Sequence, residues 1–290
     1  MTIVSRTLCA AGFSTLLVAS LPATASAQHD SLPPHLRDRG RGQPTSLFGT
    51  YIERGQLILF PYFAFTRDGN MEYQPSALGY GSDQDFRGRF QSTQAQLFVA
   101  YAFTDWLAIE FESSRIRARL DKSPDDTSAV PARIDETGLA DIEAQVRLRL
   151  ARERGRRPEI FASLEMIPAQ QSGKVLIGDA QWDFKSSIGV IRGFRFGTMT
   201  FKTSVEYNRG DKHWDLGETS LEYLRQLNSR TRLFLAIEGG EGGAPDDYAL
   251  VSGVRWRLTP GVFLKFDNAV GLMSKATDWE TQIGLLWQLR

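Results

Sequence analysis

Apolar and polar residues alternate along most of the chain from Gln56 onward, in runs of about ten to twelve residues. The clearest run places Ala140, Ile142 and every second residue up to Leu150 on one face, with charged and amide residues on the other. Residues two apart share a face of a β-strand, and no sustained 3.6-residue period indicates helices. The pattern predicts about twelve strands, at 56–66, 91–103, 106–119, 139–150, 158–167, 181–191, 198–208, 215–226, 231–239, 247–258, 262–273 and 279–289.

The gaps between the predicted strands differ in length. Asn228-Ser229 and Thr259-Pro260-Gly261 form tight turns, whereas the segments near 67–90, 120–138 and 168–180 are long and rich in Gly, Pro, Asp and Ser. Short turns on one side, long loops on the other and an even strand count are typical of outer-membrane barrels. We therefore predict an all-β fold, a transmembrane antiparallel β-barrel of about twelve strands with long outer loops and short periplasmic turns.

A soluble β-sandwich would alternate in the same way, so strand length and aromatic placement decide between the two. An eleven-residue strand tilted by about 40° covers roughly 28 Å, close to the apolar band of an outer membrane, whereas sandwich strands are about half as long. Aromatic residues near strand ends on the apolar face are typical of interfacial girdles. They are Trp182, Tyr207, Tyr248, Trp256, Trp279 and Trp287, while the register points Trp106 inward. We expect the outer membrane of a Gram-negative bacterium as the location.

The N-terminus resembles a secretory signal peptide, with one basic residue, an apolar stretch and the cleavage pattern Ala25-Ser26-Ala27. We expect residues 1–27 to be a signal peptide. Residues 28–55 are polar and Pro-rich, and form either a periplasmic tail or a plug that enters the lumen; residues 56–290 form the barrel. Cys9 lies in the signal peptide, so the mature chain would have no thiol for a disulfide, a nucleophile or a metal site.

Composition and the lengths of the apolar runs exclude three other classes of protein. The 34 Lys and Arg balance 34 Asp and Glu, so no net basic charge points to a nucleic-acid partner. Hydrophobic residues make up 42% of the chain, which is too apolar for a disordered chain. After residue 27 no uninterrupted apolar run approaches the roughly 18 residues that a membrane-spanning helix needs.

Charged residues within the strands are expected to face the lumen, because Arg or Lys on the lipid face near the midplane costs about 2–4 kcal/mol. Opposite charges there either line the pore or form ion pairs that stiffen the wall. The predicted inward charges are Glu110, Glu112, Glu143, Arg147, Glu165, Lys185, Lys202, Glu206, Glu222, Glu238, Arg255, Lys265 and Asp267.

One wall of the lumen is predicted to be apolar. Its residues, on the first two strands, are Ile58, Phe60, Tyr62 and Phe98. Exposed apolar surface in water is costly, so either the tail, through Leu47 and Phe48, or an apolar solute is expected to cover it. Pro61 cannot donate to the ladder, and a bulge there would reverse the faces of the first strand.

Two segments carry a resemblance to a known family. They are the start of the fourth strand, Gly138-Leu139-Ala140-Asp141, and the strand between Pro158 and Pro168. With the strand architecture, they resemble the outer-membrane channels grouped as the MetA-pathway of phenol degradation family, over most of residues 56–290. Ala140 replaces the second Gly of the family's usual Gly-x-Gly-Asp, and the chain ends in Arg290 where barrels usually end in an aromatic residue. The resemblance implies a barrel for uptake of small aromatic or apolar solutes.

The sequence shows little that could perform catalysis. His213 is the one histidine in the barrel region, and a barrel hydrolase acting on lipid or peptide would need it beside a nucleophile. No metal-ligand spacing or phosphate loop appears, so we expect no cofactor and no metal. A non-conducting structural barrel of the envelope remains a second alternative.

The predicted function is passive or gated passage of small solutes. Twelve strands about 4.8 Å apart, tilted by about 40°, leave roughly 12 Å between inward side chains, which admits a small solute but not a folded protein. Expected partners are outer-membrane lipid and lipopolysaccharide, a small-molecule solute and the barrel-assembly machinery.

Overall fold

The structure, a computed structural model, is an all-β barrel. It describes residues 53–169, 173–177, 182–208, 212–240 and 247–289. The predicted signal peptide and nearly all of the predicted tail or plug lie outside the described residues. Among the residues that are described, no helix is long and apolar enough to cross a membrane.

Twelve antiparallel strands form one closed sheet, in which each strand pairs with its neighbours in sequence and the last pairs with the first. This confirms the predicted fold class. The strands are β1 Leu57–Tyr73, β2 Phe86–Ala102, β3 Leu107–Asp121, β4 Arg133–Ala151, β5 Glu159–Ile167, β6 Asp183–Phe194, β7 Gly197–Asn208, β8 His213–Gln226, β9 Thr231–Gly239, β10 Ala249–Thr259, β11 Val262–Gly271 and β12 Trp279–Leu289.

The outer surface of the barrel carries a continuous apolar belt. Side chains alternate along each strand between a buried inward face and an outward face of large apolar residues, such as Ile188, Leu235 and Ile283. A water-soluble protein rarely exposes so much contiguous apolar surface. The belt therefore identifies the surface that contacts lipid.

Two bands of aromatic residues border this belt. On β12, Trp279 lies at the outer end and Trp287 near the periplasmic end, about 20 Å apart along the barrel axis for a strand tilted by 40°. Phe194, Phe196 and Tyr223 stack at the periplasmic ends of β6 and β8. Such girdles mark the two membrane interfaces of outer-membrane barrels.

The prediction that Trp106 points inward is wrong. Trp106 lies in the turn before β3, where its side chain is 55% exposed. The period of two that assigns faces holds within a strand, and it does not extend into the bend of the turn.

Strands β1 to β4 extend farther on the outer side than the sequence predicted. Near these outer ends the pattern inverts: Arg117 of β3 faces outward and pairs with Asp135 of β4 at 2.7 Å, while Ile116 and Leu120 face inward and are buried. Water, not lipid, surrounds this part of the wall. An apolar outer face therefore marks a strand only where lipid surrounds it.

A bulge in β4 gives Ala140 the opposite orientation to the predicted one. The register between β3 and β4 shifts between Ser113 and Arg115, opposite residues 139–142. Ala140 therefore packs inward against Ile116 and Ile177, not outward with the rest of its predicted run. An extra residue in one strand reverses the faces beyond it, which alternation alone does not show.

Pro61 does not reverse the faces of β1. It interrupts the ladder between β1 and β12, but the register is the same on both sides of the interruption. The register shift of β1 against β2 comes later, after Asp68. Ile58, Phe60 and Tyr62 consequently share the inward face.

Candidate functional site: the barrel lumen

A cavity of about 340 Å³ lies in the middle of the lumen, lined by strands β1 to β8 and β12. Eight of the residues singled out from the sequence line it: Tyr62, Phe98, Glu110, Glu112, Glu143, Glu165, Lys185 and Lys202. Glu218, Glu280, Gln94, Gln96, Gln145, Gln282, Ser187 and Ser204 also line it and were not singled out. Their inward positions in the alternating pattern were the signal that could have identified them.

Three of the cavity's carboxylates are held by neutral donors. Tyr62 Oη donates to Glu112 Oε1 at 2.7 Å, and Gln96 Nε2 donates to the same oxygen at 2.8 Å. Glu165 accepts a hydrogen bond from Gln145 at 3.2 Å. The third is Glu280, which accepts from Thr66 Oγ1 at 3.0 Å and from Gln282 Nε2 at 2.7 Å. These contacts fix the carboxylates in place without cancelling their charge.

Both lysines of the cavity are paired with carboxylates on a neighbouring strand. Lys202 Nζ lies 3.1 Å from Glu218 Oε2, and Lys185 Nζ lies 3.9 Å from Glu206 Oε2. Ion pairs of this kind between adjacent strands were expected from the sequence. These ion pairs weaken the attraction of both lysines for a negatively charged solute.

Between the cavity and the periplasmic turns, inward side chains form a packed layer. We call it the periplasmic layer: Phe60, Glu110, Arg147, Phe161, Phe234, Arg255, Lys265 and Asp267. Arg147 lies 3.2 Å from Glu110 and over the Phe161 ring, while Arg255 lies over the Phe234 ring at 5.2 Å. Both arginines are about 2% exposed. The lumen is therefore narrower here than the 12 Å expected from strand number alone.

The predicted apolar wall packs together with the periplasmic layer and shares Phe60 with it. Ile58, Phe60, Tyr62 and Phe98 lie in one buried cluster, which Phe263 of β11 and Leu286 of β12 complete. Lys265 Nζ also lies 5.0 Å from the centre of the Phe60 ring. The barrel itself thus supplies a cover for this wall, in addition to the tail and the apolar solute that were expected from the sequence. Tyr62 and Phe98 reach the cavity.

The remaining predicted charges lie outside the cavity lining. Glu222, Arg255, Lys265 and Asp267 are inward and buried at 2% to 4% exposure, and Lys265 forms an ion pair with Asp267. Glu206 pairs with Lys185, as described above. Burial in paired form fits a wall-stiffening role as well as a pore-lining one.

Loops narrow the outer mouth of the barrel. Residues 173–177 fold over the extended strands, where the Glu136 carboxylate accepts hydrogen bonds from the backbone N–H of Val175 at 3.0 Å and of Leu176 at 2.9 Å. In the loop after β3, burial of Asp126 favours its neutral form. Hydrogen bonds from Ser128 and Tyr73 outweigh that effect and lower the pKa of Asp126 below its usual value.

His213, the candidate hydrolase residue, lies at the outer end of β8. Its Nε2 is 3.2 Å from Asp215 Oδ1, and its side chain is 70% exposed. Within the described ranges, no group of three or more His, Cys, Asp and Glu could hold a metal ion.

Comparison with known proteins shows the fold. No family model and no curated protein matches the chain. The chain is similar to the crystal structure of an outer membrane channel from Pseudomonas putida F1, with a TM-score of 0.57 and 15% identity over 82% of this chain and 97% of that one. The fold is that of an outer-membrane barrel.

Other solved outer-membrane proteins are less similar to the chain. They include the translocator domain of the autotransporter NalP from Neisseria meningitidis, with a TM-score of 0.48 and 11% identity over 84% of this chain and 90% of that one. Another is the toluene transporter TodX of Pseudomonas putida, with a TM-score of 0.37 and 9% identity over 81% and 88%. The closed barrel, its apolar belt and its aromatic bands place the protein in a bacterial outer membrane.

Proposed function

We propose that this protein is an outer-membrane channel for gated passage of small solutes, and not an enzyme. The observation that carries the proposal is the mid-lumen cavity, which is polar, belongs to a closed barrel and is large enough for a small solute. The periplasmic layer lies across the path from this cavity to the periplasm. Passage therefore requires movement of that layer, which makes the channel a gated one.

Single-channel recording in planar bilayers tests the proposal. We expect small conductance steps separated by closed intervals, because side chains of the periplasmic layer must move before ions pass. Swelling of liposomes in solutions of small solutes should report the same passage. Absence of conductance and swelling, from protein whose heat-modifiable migration shows a folded barrel, would contradict the proposal.

The packed layer also favours one alternative, a non-conducting structural barrel. Paired charges and rings fill the lumen there, as expected for a wall built for stiffness. The same recordings distinguish the two functions, since a structural barrel gives no conductance steps. A hydrolase would show activity that is lost in His213→Ala.

The family resemblance adds a solute class to the proposal, small aromatic or apolar compounds. Tyr62 and Phe98 supply aromatic surface to the cavity, and ring contacts contribute about 0.5–1.5 kcal/mol each. The proposal also includes membership of the resembled family, an export signal in residues 1–27 and a tail or plug in 28–55. Lipid, lipopolysaccharide and the barrel-assembly machinery are its proposed envelope partners.

Replacing Phe98 by alanine should slow the passage of aromatic solutes. The lost ring contact should lower uptake of benzyl alcohol relative to glycerol by about threefold in proteoliposomes. Phe63→Ala is the matched control, because Phe63 is an aromatic residue on the outward face that is 66% exposed. An equal fall of the ratio in both variants would contradict a role for Phe98 in solute passage.

A further inference from the structure

We propose that the lumen cavity selects solutes that carry a positive charge, in particular small organic ammonium ions with an apolar body. The inference rests on the proposed channel function and names the solute class of the same cavity. Neither the apolar wall nor the family resemblance predicts this charge preference.

The lining of the cavity carries more acidic than basic groups. Its carboxylates are Glu110, Glu112, Glu143, Glu165, Glu218 and Glu280, whereas its cationic groups are Lys185 and Lys202. Both lysines are paired with carboxylates, as described above. The excess charge of the cavity is therefore negative, although the whole chain has a formal net charge of zero.

Three carboxylates of the cavity have no lysine or arginine of the described residues within ion-pair distance. Glu112, Glu165 and Glu280 accept hydrogen bonds from a phenol, a hydroxyl and amides, and none of the three forms an ion pair with a described lysine or arginine. The neutral donors hold the carboxylates at fixed positions on different sides of the cavity. A cation that enters the cavity can approach these carboxylates to ion-pair distance, which no described lysine or arginine does.

A buried oxygen at the base of the cavity supports the same conclusion. Glu110 lines the cavity and is about 2% exposed, and its Oε2 lies 3.2 Å from Arg147. Its Oε1 has no hydrogen-bond partner in the described part of the chain. A buried carboxylate oxygen is costly unless a donor satisfies it, and an ammonium group is a suitable donor.

The aromatic lining favours an organic cation over a simple metal ion. Tyr62 and Phe98 border the cavity on the side of Glu112, so an ammonium group can meet carboxylates while its apolar body contacts rings. Ring faces also attract cations directly. A volume of about 340 Å³ accommodates a molecule the size of benzylammonium.

Three probes of nearly the same shape and different charge test the inference: benzylammonium, benzyl alcohol and benzoate. In proteoliposomes we expect the passage rate to fall in that order. In bilayers under a potassium chloride gradient, the reversal potential should show that potassium passes more readily than chloride. In water, the attraction between two unit charges about 7 Å apart favours a cation over a neutral solute roughly threefold. The effects of several carboxylates should combine, although salt screens each of them.

The triple variant Glu112→Gln, Glu165→Gln and Glu280→Gln removes the charges and keeps the side-chain shapes. We expect it to lower the ratio of benzylammonium to benzyl alcohol passage, and the potassium to chloride permeability ratio, by roughly tenfold. The control removes three exposed acids from the outer loops: Asp83→Asn, Asp85→Asn and Asp125→Asn. It should change both ratios far less.

The outcomes separate the inference from the proposed function. Conductance without cation preference, or an equal shift in the triple variant and its control, would overturn the charge selectivity and leave the channel standing. A folded barrel that passes none of the three probes and conducts no ions would overturn both. The expected order of rates, together with its loss in the triple variant, supports both.

Discussion

Replacing Phe234 and Arg255 together by alanine is expected to raise the single-channel conductance several-fold. Both side chains fill the lumen in the periplasmic layer, and the arginine lies over the phenylalanine ring at 5.2 Å. Removing both side chains empties part of the layer, and neither Phe234 nor Arg255 remains without the other. The channel should then show longer open intervals and larger steps in planar bilayers.

The control for this prediction lies on the same two strands. Leu233 and Val254 are directly paired and face the lipid, so Leu233→Ala with Val254→Ala removes volume at a similar height outside the lumen. Truncation of the buried Phe234 ring is expected to cost about 3–5 kcal/mol of stability, so heat-modifiable migration must first show that both variants fold. If the folded lumen variant conducts like the wild type, the periplasmic layer is not the barrier.

The sequence predicted the strands well where lipid surrounds them, because lipid imposes a strict rule on alternate residues. On β6, every outward position from Phe184 to Val190 is apolar or small, and Lys185 lies between two of them on the inward face. Among structures built from β-strands, only a closed barrel satisfies every backbone hydrogen bond inside a membrane. Strand number, pairing order and most faces follow from this constraint.

The outer extensions were missed because the same rule does not apply above the membrane. Phe86 begins β2 five residues before the predicted start, and its inward ring packs near Tyr73 at the end of β1. Outside the lipid, apolar residues turn inward and charged residues turn to water. A strand in this region therefore lacks the apolar outer face that marks the others.

Contacts across the lumen could not be predicted from strand patterns. Tyr62 of β1 donates to Glu112 of β3, although β2 lies between these strands. Lys265 of β11 likewise lies over the Phe60 ring of β1, past β12. Alternation tells which side chains face inward, but their lengths and the curvature of the barrel decide which of them meet. The division of the lumen into a polar cavity and a packed layer arises from these contacts.

Arginine in place of Ile188 is expected to lower the free energy of unfolding by about 2–4 kcal/mol, the cost of a cation on the lipid face near the midplane. Ile188 is 53% exposed on the outward face of β6, six residues from Trp182 at the outer interface and six from Phe194 at the inner one. Urea unfolding in lipid vesicles, followed by tryptophan fluorescence, would measure the loss.

The neighbouring residue provides a control at the same height. Ser187 faces the lumen and lines the acidic cavity, where an arginine side chain meets water and carboxylates instead of hydrocarbon. We therefore expect Ser187→Arg to destabilise the barrel far less than Ile188→Arg. Because the two positions are adjacent on one strand, differences in height or strand pairing cannot explain a gap between them. Equal destabilisation by both substitutions would contradict the assignment of one face to lipid and the other to the lumen.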